Sequence, residues 1–235
     1  MKTEVTLYKE GNINLEGYVA YPEQDNSPLI LIAPTWAGKD DFVHDRAHEL
    51  ASLGFTAFAV DMYGDGKVGS DALENEALMT PLIQDRDLLK KRIIAALNHG
   101  KTLPGIDVDR IAAIGYCFGG LVVLDLARAG ESLKGVVSFH GLLMGSDISS
   151  GGIKAKVLAL HGERDPMVPL EMVDDFQKEM TSAGADWQLH SYGGTFHAFT
   201  NPEANMPEFG ALYNPLAAMR SWQSMASFLE ELFEQ

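Results

Sequence analysis

The single cysteine of the chain, Cys117, lies in a glycine-rich turn, Gly115-Tyr116-Cys117-Phe118-Gly119-Gly120. An apolar strand-like run precedes this turn, and an apolar helical stretch follows it. The glycines allow a turn too tight for neighbouring side chains, and the residue at its centre must adopt strained backbone angles. Its sulfur would then lie at a helix N-terminus, where the positive end of the helix favours a thiolate. The pattern predicts a nucleophile; the alternative is a small buried apolar residue, the usual role of a free cysteine.

Two later segments contain the residues that a nucleophile needs as partners. His197 follows the last predicted strand, and Asp165 follows an earlier one, in the chain order nucleophile, acid, histidine. Both lie where a predicted strand ends, and ligands bind at the carboxyl ends of strands in sheets of this kind. Glu163 is a competing acid. Because Pro166 would hold Asp165 in one geometry, we predict that Asp165 orients His197 and that His197 activates Cys117.

Short apolar runs alternate with amphipathic helical stretches, which predicts an α/β fold with a mostly parallel sheet of about eight strands and helices on both faces. No repeat or linker divides the chain, so we expect a single domain over 1–235. Residues 62–81 are rich in glycine and acidic residues and have no period, which predicts a loop. Strands are predicted at 3–9, 14–21, 29–33, 55–60, 110–114, 135–139, 156–160 and 187–192. Helices are predicted at 41–53, 83–100, 118–129, 170–183 and 215–233.

The formal charge of −15 argues against partners such as nucleic acid and anionic membranes, which require basic patches. The first residues lack the apolar stretch of a signal peptide, and no apolar run is long enough to span a membrane, so we expect a cytoplasmic protein. His44 and His48 have the spacing of metal ligands but lack the usual glutamate and third ligand, which favours a surface helix. No phosphate loop or dinucleotide motif is present. We expect no metal and no cofactor.

The three chemical segments resemble those of the dienelactone hydrolase family. Its cysteine motif matches residues 115–120, its Gly-x-x-Asp loop matches 162–165, and its His-x-Phe loop matches 197–199. The resemblance covers nearly the whole chain. It implies an α/β-hydrolase fold without a large lid and cleavage of a carboxylic ester or lactone. It also implies an oxyanion hole made by two backbone N–H groups, for which we expect Phe118 and Trp36.

Two positions depart from that family's pattern. Thr35 stands where the best-known members have a glutamate that helps to generate the thiolate, and threonine cannot take a proton. Residues 198–202, directly after His197, contain no arginine to hold a substrate carboxylate. Arg86 could reach the cleft instead, and the alternative for Arg86 is a place on a helix surface. We therefore expect dienelactone itself to be a poor substrate.

The sequence predicts a small neutral ester or lactone as substrate, cleaved through an acyl-thioester on Cys117. The alternatives are a non-catalytic or thiol-sensing binding protein on the same fold, and a thioesterase or peptidase-like hydrolase. Either a monomer or a homodimer is compatible with the sequence. Besides Trp36 and Phe118, the residues expected in the pocket are Thr35, Met62, Tyr63, Arg86, Phe196 and Phe199.

Overall fold

The computed structural model of the chain describes residues 1–146 and 152–234. Its strands are β1 (Lys2–Glu10), β2 (Ile13–Tyr21), β3 (Ser27–Ala33), β4 (Thr56–Ala59), β5 (Ile106–Tyr116), β6 (Gly135–Phe139), β7 (Lys156–Gly162), β8 (Trp187–Tyr192), β9 (Asn205–Met206) and β10 (Ala211–Leu212). Its helices are α1 (Asp41–Ser52), α2 (Ala72–Gln84), α3 (Arg86–Gly100), α4 (Phe118–Arg128), α5 (Leu170–Ser182) and α6 (Pro215–Phe233), with one 3₁₀ turn at Pro207–Phe209.

Eight strands form one sheet in the order β1-β2-β4-β3-β5-β6-β7-β8, and β9 pairs with β10 in a separate hairpin. The first strands are antiparallel, β1 to β2 and β2 to β4. The pairs β3–β4, β6–β7 and β7–β8 are parallel. The predicted α/β class and eight-stranded, mostly parallel sheet are therefore confirmed. In the part of the chain that the structure describes, no helix is both long and apolar enough to cross a membrane.

The chain divides into two compact units, Met1–Ile114 and Gly115–Gln235, and the prediction of a single domain stays a prediction. In the first unit, every residue of β3 and β4 is buried, as expected for apolar strands covered on both faces. Asp40 caps α1 by accepting a hydrogen bond from the Val43 amide, and Gly54 follows that helix with φ +94°. In the second unit, all of α4 is buried, because this helix is apolar on nearly every side.

The prediction of a loop over residues 62–81 was wrong in its second half, where α2 begins at Ala72. Only Asn75 and Leu82 of this helix are buried, so its sequence carries almost no apolar period. Its start is set instead by a local cap, in which the Asp71 carboxylate accepts a hydrogen bond from the Glu74 amide.

Candidate active site

Cys117 occupies the turn between β5 and α4, with φ 56° and ψ −115°. These left-handed angles are unfavourable for any residue but glycine. The turn imposes them because its backbone segments pack too closely for side chains at the neighbouring glycines. A Cβ at Gly115 would lie 1.9 Å from the Gly119 carbonyl oxygen, and one at Gly120 would lie 2.5 Å from the Gly141 Cα. The turn therefore closes only with glycine at both positions, as the sequence predicts.

Asp165 and His197 are in contact within the second unit. Asp165 Oδ2 lies 2.7 Å from His197 Nδ1, and both side chains are almost completely buried. The other carboxylate oxygen, Oδ1, accepts a hydrogen bond from the Met167 amide at 2.9 Å. Glu163, the competing acid, is exposed and accepts a hydrogen bond from the Gly194 amide instead. Asp165, and not Glu163, is thus the carboxylate in hydrogen-bond contact with the imidazole, and the contact is made at Nδ1.

The charge state of His197 follows from its neighbours. Burial lowers the pKa of His197, but the charge of Cys117, the hydrogen bonds to Asp165 and Cys117, and the charge of Asp165 together raise it to about 10. Nε2 of His197 is buried and has no oxygen or nitrogen partner. It is therefore the ring nitrogen available to bond the sulfur of Cys117. The protonated imidazole is therefore the form of His197 that these contacts favour at neutral pH.

A hairpin that the sequence did not predict holds the backbone of the histidine loop. The His197 amide donates to the Gly210 carbonyl at 2.9 Å, and the His197 carbonyl accepts from the Leu212 amide at 3.0 Å. Gly210 has φ +73°, and a Cβ there would lie 2.2 Å from Pro166 Cγ. The hairpin of β9 and β10 thus contacts both the histidine loop and the residue after Asp165. A glycine shortly before a predicted N-cap and proline was the only signal for it.

Two histidines border the triad and differ in their contacts. His140 is buried and uses both ring nitrogens, accepting from the Cys117 amide at Nδ1 (3.2 Å) and bonding Thr200 Oγ1 at Nε2 (2.8 Å). Burial is the main cause that lowers the pKa of His140 well below its usual value, and the nearby charge of His197 lowers it further. His161 is also buried, and its Nδ1 has no hydrogen-bond partner. Burial lowers the pKa of His161 as well, so both rings are neutral.

The predicted pocket residues of the second unit have different environments. Phe118 is the first residue of α4, so its N–H belongs to the first turn of a helix whose N-cap, Cys117, makes no side-chain capping bond. Phe196 is partly exposed, with the Arg164 guanidinium 5.1 Å from its ring centroid. Phe199 is fully buried against His140 and Tyr192, so it packs behind the triad, and a pocket role for it stays a prediction.

In the first unit, a carboxylate that the sequence analysis missed organises the segment after β4. Buried Asp61 accepts hydrogen bonds from the amides of Glu16, Tyr63, Gly64 and Gly66. Tyr63, held in this way, donates its hydroxyl to the Trp36 carbonyl at 2.8 Å, so the loop with Trp36 is fixed through a side chain. An aspartate shortly before two glycines, Gly64 and Gly66, was the available signal.

The remaining predicted residues of the first unit are placed as follows. Thr35 Oγ1 accepts from the Ala37 amide at 3.3 Å, so its hydroxyl supports its own turn. Met62 is buried, and Arg86 is partly exposed at the start of α3; pocket roles for both stay predictions. His48 lies 2.6 Å from the Tyr18 hydroxyl and His44 packs on the same ring, while the described residues contain no cluster of three or more metal-ligating side chains.

Comparison with known proteins identifies a family and relatives over most of the chain. The model of the dienelactone hydrolase family matches residues 15–233. A "Putative carboxymethylenebutenolidase" of Yersinia pestis is 26% identical, over 97% of this chain and 87% of that protein. An uncharacterized protein of Caenorhabditis elegans is 37% identical, over 62% of this chain and 94% of its own.

Solved structures extend the likeness over the whole length. The crystal structure of a dienelactone hydrolase-like promiscuous phosphotriesterase from metagenomic libraries has a TM-score of 0.94 and 34% identity, covering 98% of each chain. A Klebsiella pneumoniae structure at 22% identity, with a TM-score of 0.82 over 97% of this chain and 98% of that one, shows the same fold. The chain therefore belongs to the dienelactone hydrolase family and is a hydrolase of the ester or lactone type.

Proposed function

We propose that this hydrolase cleaves small neutral esters or lactones with Cys117 as nucleophile, His197 as base and Asp165 as the residue that orients it. The observation that carries the proposal is the buried 2.7 Å contact between Asp165 and His197, together with the raised pKa of that imidazole beside Cys117. A strained cysteine in the glycine turn supports it, because such strain is kept where a nucleophile must project into a cleft.

In the first half-reaction the thiolate attacks the carbonyl carbon, a C–S bond forms, and the carbonyl electron pair moves onto the oxygen. That oxyanion is stabilised by the amide of Phe118 and, in our proposal, by that of Trp36; a donor of this kind contributes about 3 kcal/mol to the transition state. The intermediate collapses with loss of the C–O bond, and protonated His197 gives its Nε2 proton to the leaving alkoxide. Cys117 is left as an acyl-thioester.

In the second half-reaction, His197 is neutral and takes a proton from water while the resulting hydroxide attacks the thioester. The C–S bond breaks, the acid leaves, and the thiolate and protonated imidazole are restored. Through its hydrogen bond to Nδ1, Asp165 stabilises the imidazolium whenever His197 is protonated. Thr35 cannot take a proton, so in this proposal it has no part in proton transfer. Activation of Cys117 rests instead on His197, whose pKa is raised to about 10.

The preference for neutral substrates rests on charge. The chain carries a formal charge of −15, and residues 198–202, directly after His197, contain no arginine. Burying a carboxylate without a cationic partner costs several kcal/mol, whereas an apolar group gains about 25 cal/mol per Å² of surface buried. Arg164, exposed beside Phe196, and Arg86 are the cations that would have to act as a clamp if this proposal were wrong.

The direct test uses an aryl acetate in a stopped-flow assay, with mass spectrometry of the quenched protein. We expect a burst of phenol, a steady state of turnover and an acetyl adduct on Cys117. A burst without a steady state would support a thiol-sensing protein instead. A second pair of isosteric esters, differing only in one carboxylate, tests the charge preference; a higher kcat/KM for the charged ester, abolished in Arg164→Met or Arg86→Met, would overturn it.

A second candidate activity is cleavage of phosphotriesters, favoured by the 34% identical relative described as a promiscuous phosphotriesterase. The same thiolate would attack phosphorus, expel an aryloxide and leave an S-phosphoryl cysteine, which His197-activated water would hydrolyse. A dialkyl aryl phosphate distinguishes this activity: release of more than one equivalent of aryloxide per Cys117 shows turnover, and a single equivalent shows inactivation.

A further inference from the structure

His140 lies directly after β6, in the second unit, and has an unusual backbone. Its φ is +38°, a value that non-glycine residues rarely adopt, and it is almost fully buried. Its amide donates to the Leu160 carbonyl at 2.8 Å, which ties this conformation to the neighbouring strand β7. A conformation of this kind persists only where the surroundings hold it in place, and it marks positions under a functional constraint.

The side chain of His140 bridges the two loops that contain the nucleophile and the base. Because the Cys117 amide donates to Nδ1, the ring proton must lie on Nε2, which therefore donates to Thr200 Oγ1. Thr200 lies three residues after His197. The His140 and His197 rings are also in edge contact, with centroids 5.1 Å apart and planes at 66°.

This bridge requires His140 to be neutral. A protonated ring would carry a hydrogen on Nδ1, which would then face the hydrogen of the Cys117 amide. The titratable side chains near the ring include those of Cys117, whose amide bonds it, of His197, and of Tyr116, whose ring centroid is 6.1 Å away. The apolar Phe199 also packs against the ring. Burial and the charge of His197 both act in the direction that keeps His140 uncharged.

We propose that His140 is a positioning residue, which fixes the amide of Cys117 through Nδ1 and the histidine loop through Nε2 so that sulfur and imidazole stay aligned. The inference rests on the proposed function of Cys117 and His197. The Cys117 amide also donates to the Phe139 carbonyl, at 3.0 Å, but that bond lies within the strand edge and makes no link to the base. The imidazole of His140 makes that link, and a change of about 1 Å in the alignment of reacting groups can cost about 100-fold in rate.

Amide side chains separate the two halves of the bridge. In His140→Asn, Oδ1 takes the place of Nδ1 as acceptor, and asparagine tolerates a positive φ. In His140→Gln, the terminal amide reaches the position of Nε2 and can bond Thr200, but nothing replaces the acceptor for the Cys117 amide. Thr200→Val removes only the partner of Nε2 and serves as the matched variant on the other side.

The experiment measures the rate of Cys117 alkylation by iodoacetamide against pH on the full chain, with kcat and KM for an aryl acetate and the melting temperature. We expect His140→Asn to lower the alkylation rate at pH 7 and kcat several-fold, because it keeps an acceptor for the Cys117 amide but loses the link to Thr200. His140→Gln should lose about 10-fold or more of the alkylation rate at pH 7 and of kcat, with KM nearly unchanged, because alignment and not substrate binding is lost. Thr200→Val should follow His140→Asn.

The pattern among the variants decides the matter. If His140→Gln melts lower but its folded protein keeps the alkylation profile of the parent, His140 is a packing residue and the proposal is overturned. Loss of the profile in His140→Asn but not in His140→Gln overturns it as well. Alkylation does not depend on turnover, so a parent chain that is alkylated readily but hydrolyses no ester would contradict the proposed function while leaving His140 tested.

Discussion

Replacing Gly210 with alanine tests whether the hairpin of β9 and β10 positions the triad. The new Cβ would lie 2.2 Å from Pro166 Cγ, whereas ordinary contact begins at 3.4 Å, so Pro166 or Gly210 must move by about 1.2 Å. Pro166 follows Asp165, and the Gly210 carbonyl accepts from the His197 amide. The displacement therefore falls on the two partners of the 2.7 Å contact. A misplacement of this size predicts a loss of about 100-fold in kcat for an aryl ester.

The substitution also strains the backbone, and that effect must be separated. Alanine at φ +73° costs about 1–2 kcal/mol of stability wherever it occurs. Gly184 is the matched control, because it has φ +66° and a Cβ there would meet nothing within 4 Å. Gly184→Ala should lower the free energy of unfolding by a similar amount and leave kcat unchanged. If Gly210→Ala and Gly184→Ala have the same kcat, the hairpin does not position the triad.

Three other changes test the site directly. Cys117→Ala should lower ester turnover by about 10³-fold or more with the fold intact by circular dichroism, and retention of a tenth of the activity would exclude Cys117 as nucleophile. Because the pKa of His197 is raised to about 10, the imidazolium that stabilises the thiolate is present at neutral pH and lost as the pH rises through about 10. Iodoacetamide should therefore alkylate Cys117 rapidly at pH 7, well below the free-thiol pKa of about 8.5, and His197→Ala should remove this advantage. Asp165→Asn should lower kcat by about 10³-fold or more. Glu163→Gln, in the same loop, should change kcat by less than about twofold. The reverse order of these two effects in steady-state assays would identify Glu163 as the acid.

The residues with the clearest sequence signals are those constrained by a local pattern. Cys117 could be predicted because the glycines around it are required by close backbone approach, and close approach has a signature in the sequence itself. Asp165 and His197 could be placed because each follows a predicted strand, and a parallel sheet brings strand ends to one edge. The structure shows that Asp165 and His197 are in contact. The chemical roles of these residues stay predictions until Cys117 and His197 are substituted.

The contacts that the sequence did not predict join segments far apart in the chain. Asp61 bonds the Glu16 amide, Gly210 meets Pro166, and His140 bonds both the Cys117 amide and Thr200. None of these contacts leaves a periodic pattern in the sequence, because each depends on one side chain or one carbonyl that reaches across a packed interior. The helix α2 was missed for a related reason, since a mostly exposed helix needs no apolar stripe. The location of the protein in the cell and its oligomeric state likewise stay predictions.

Backbone strain links these observations. Among the described residues, five non-glycine residues have positive φ, and two of them, Asn26 and Asp65, are of the types that tolerate it. The other three are Cys117, His140 and Ala198, at φ 56°, 38° and 55°. They are the proposed nucleophile, the residue that bonds its amide, and the residue after the proposed base. Each such conformation costs about 1–3 kcal/mol, and the fold retains all three in the small region where sulfur and imidazole must meet. Relaxation at Cys117 or Ala198 would move one partner of the pair without the other. The bonds from the His140 amide to Leu160 and from the His197 amide to Gly210 oppose such movement.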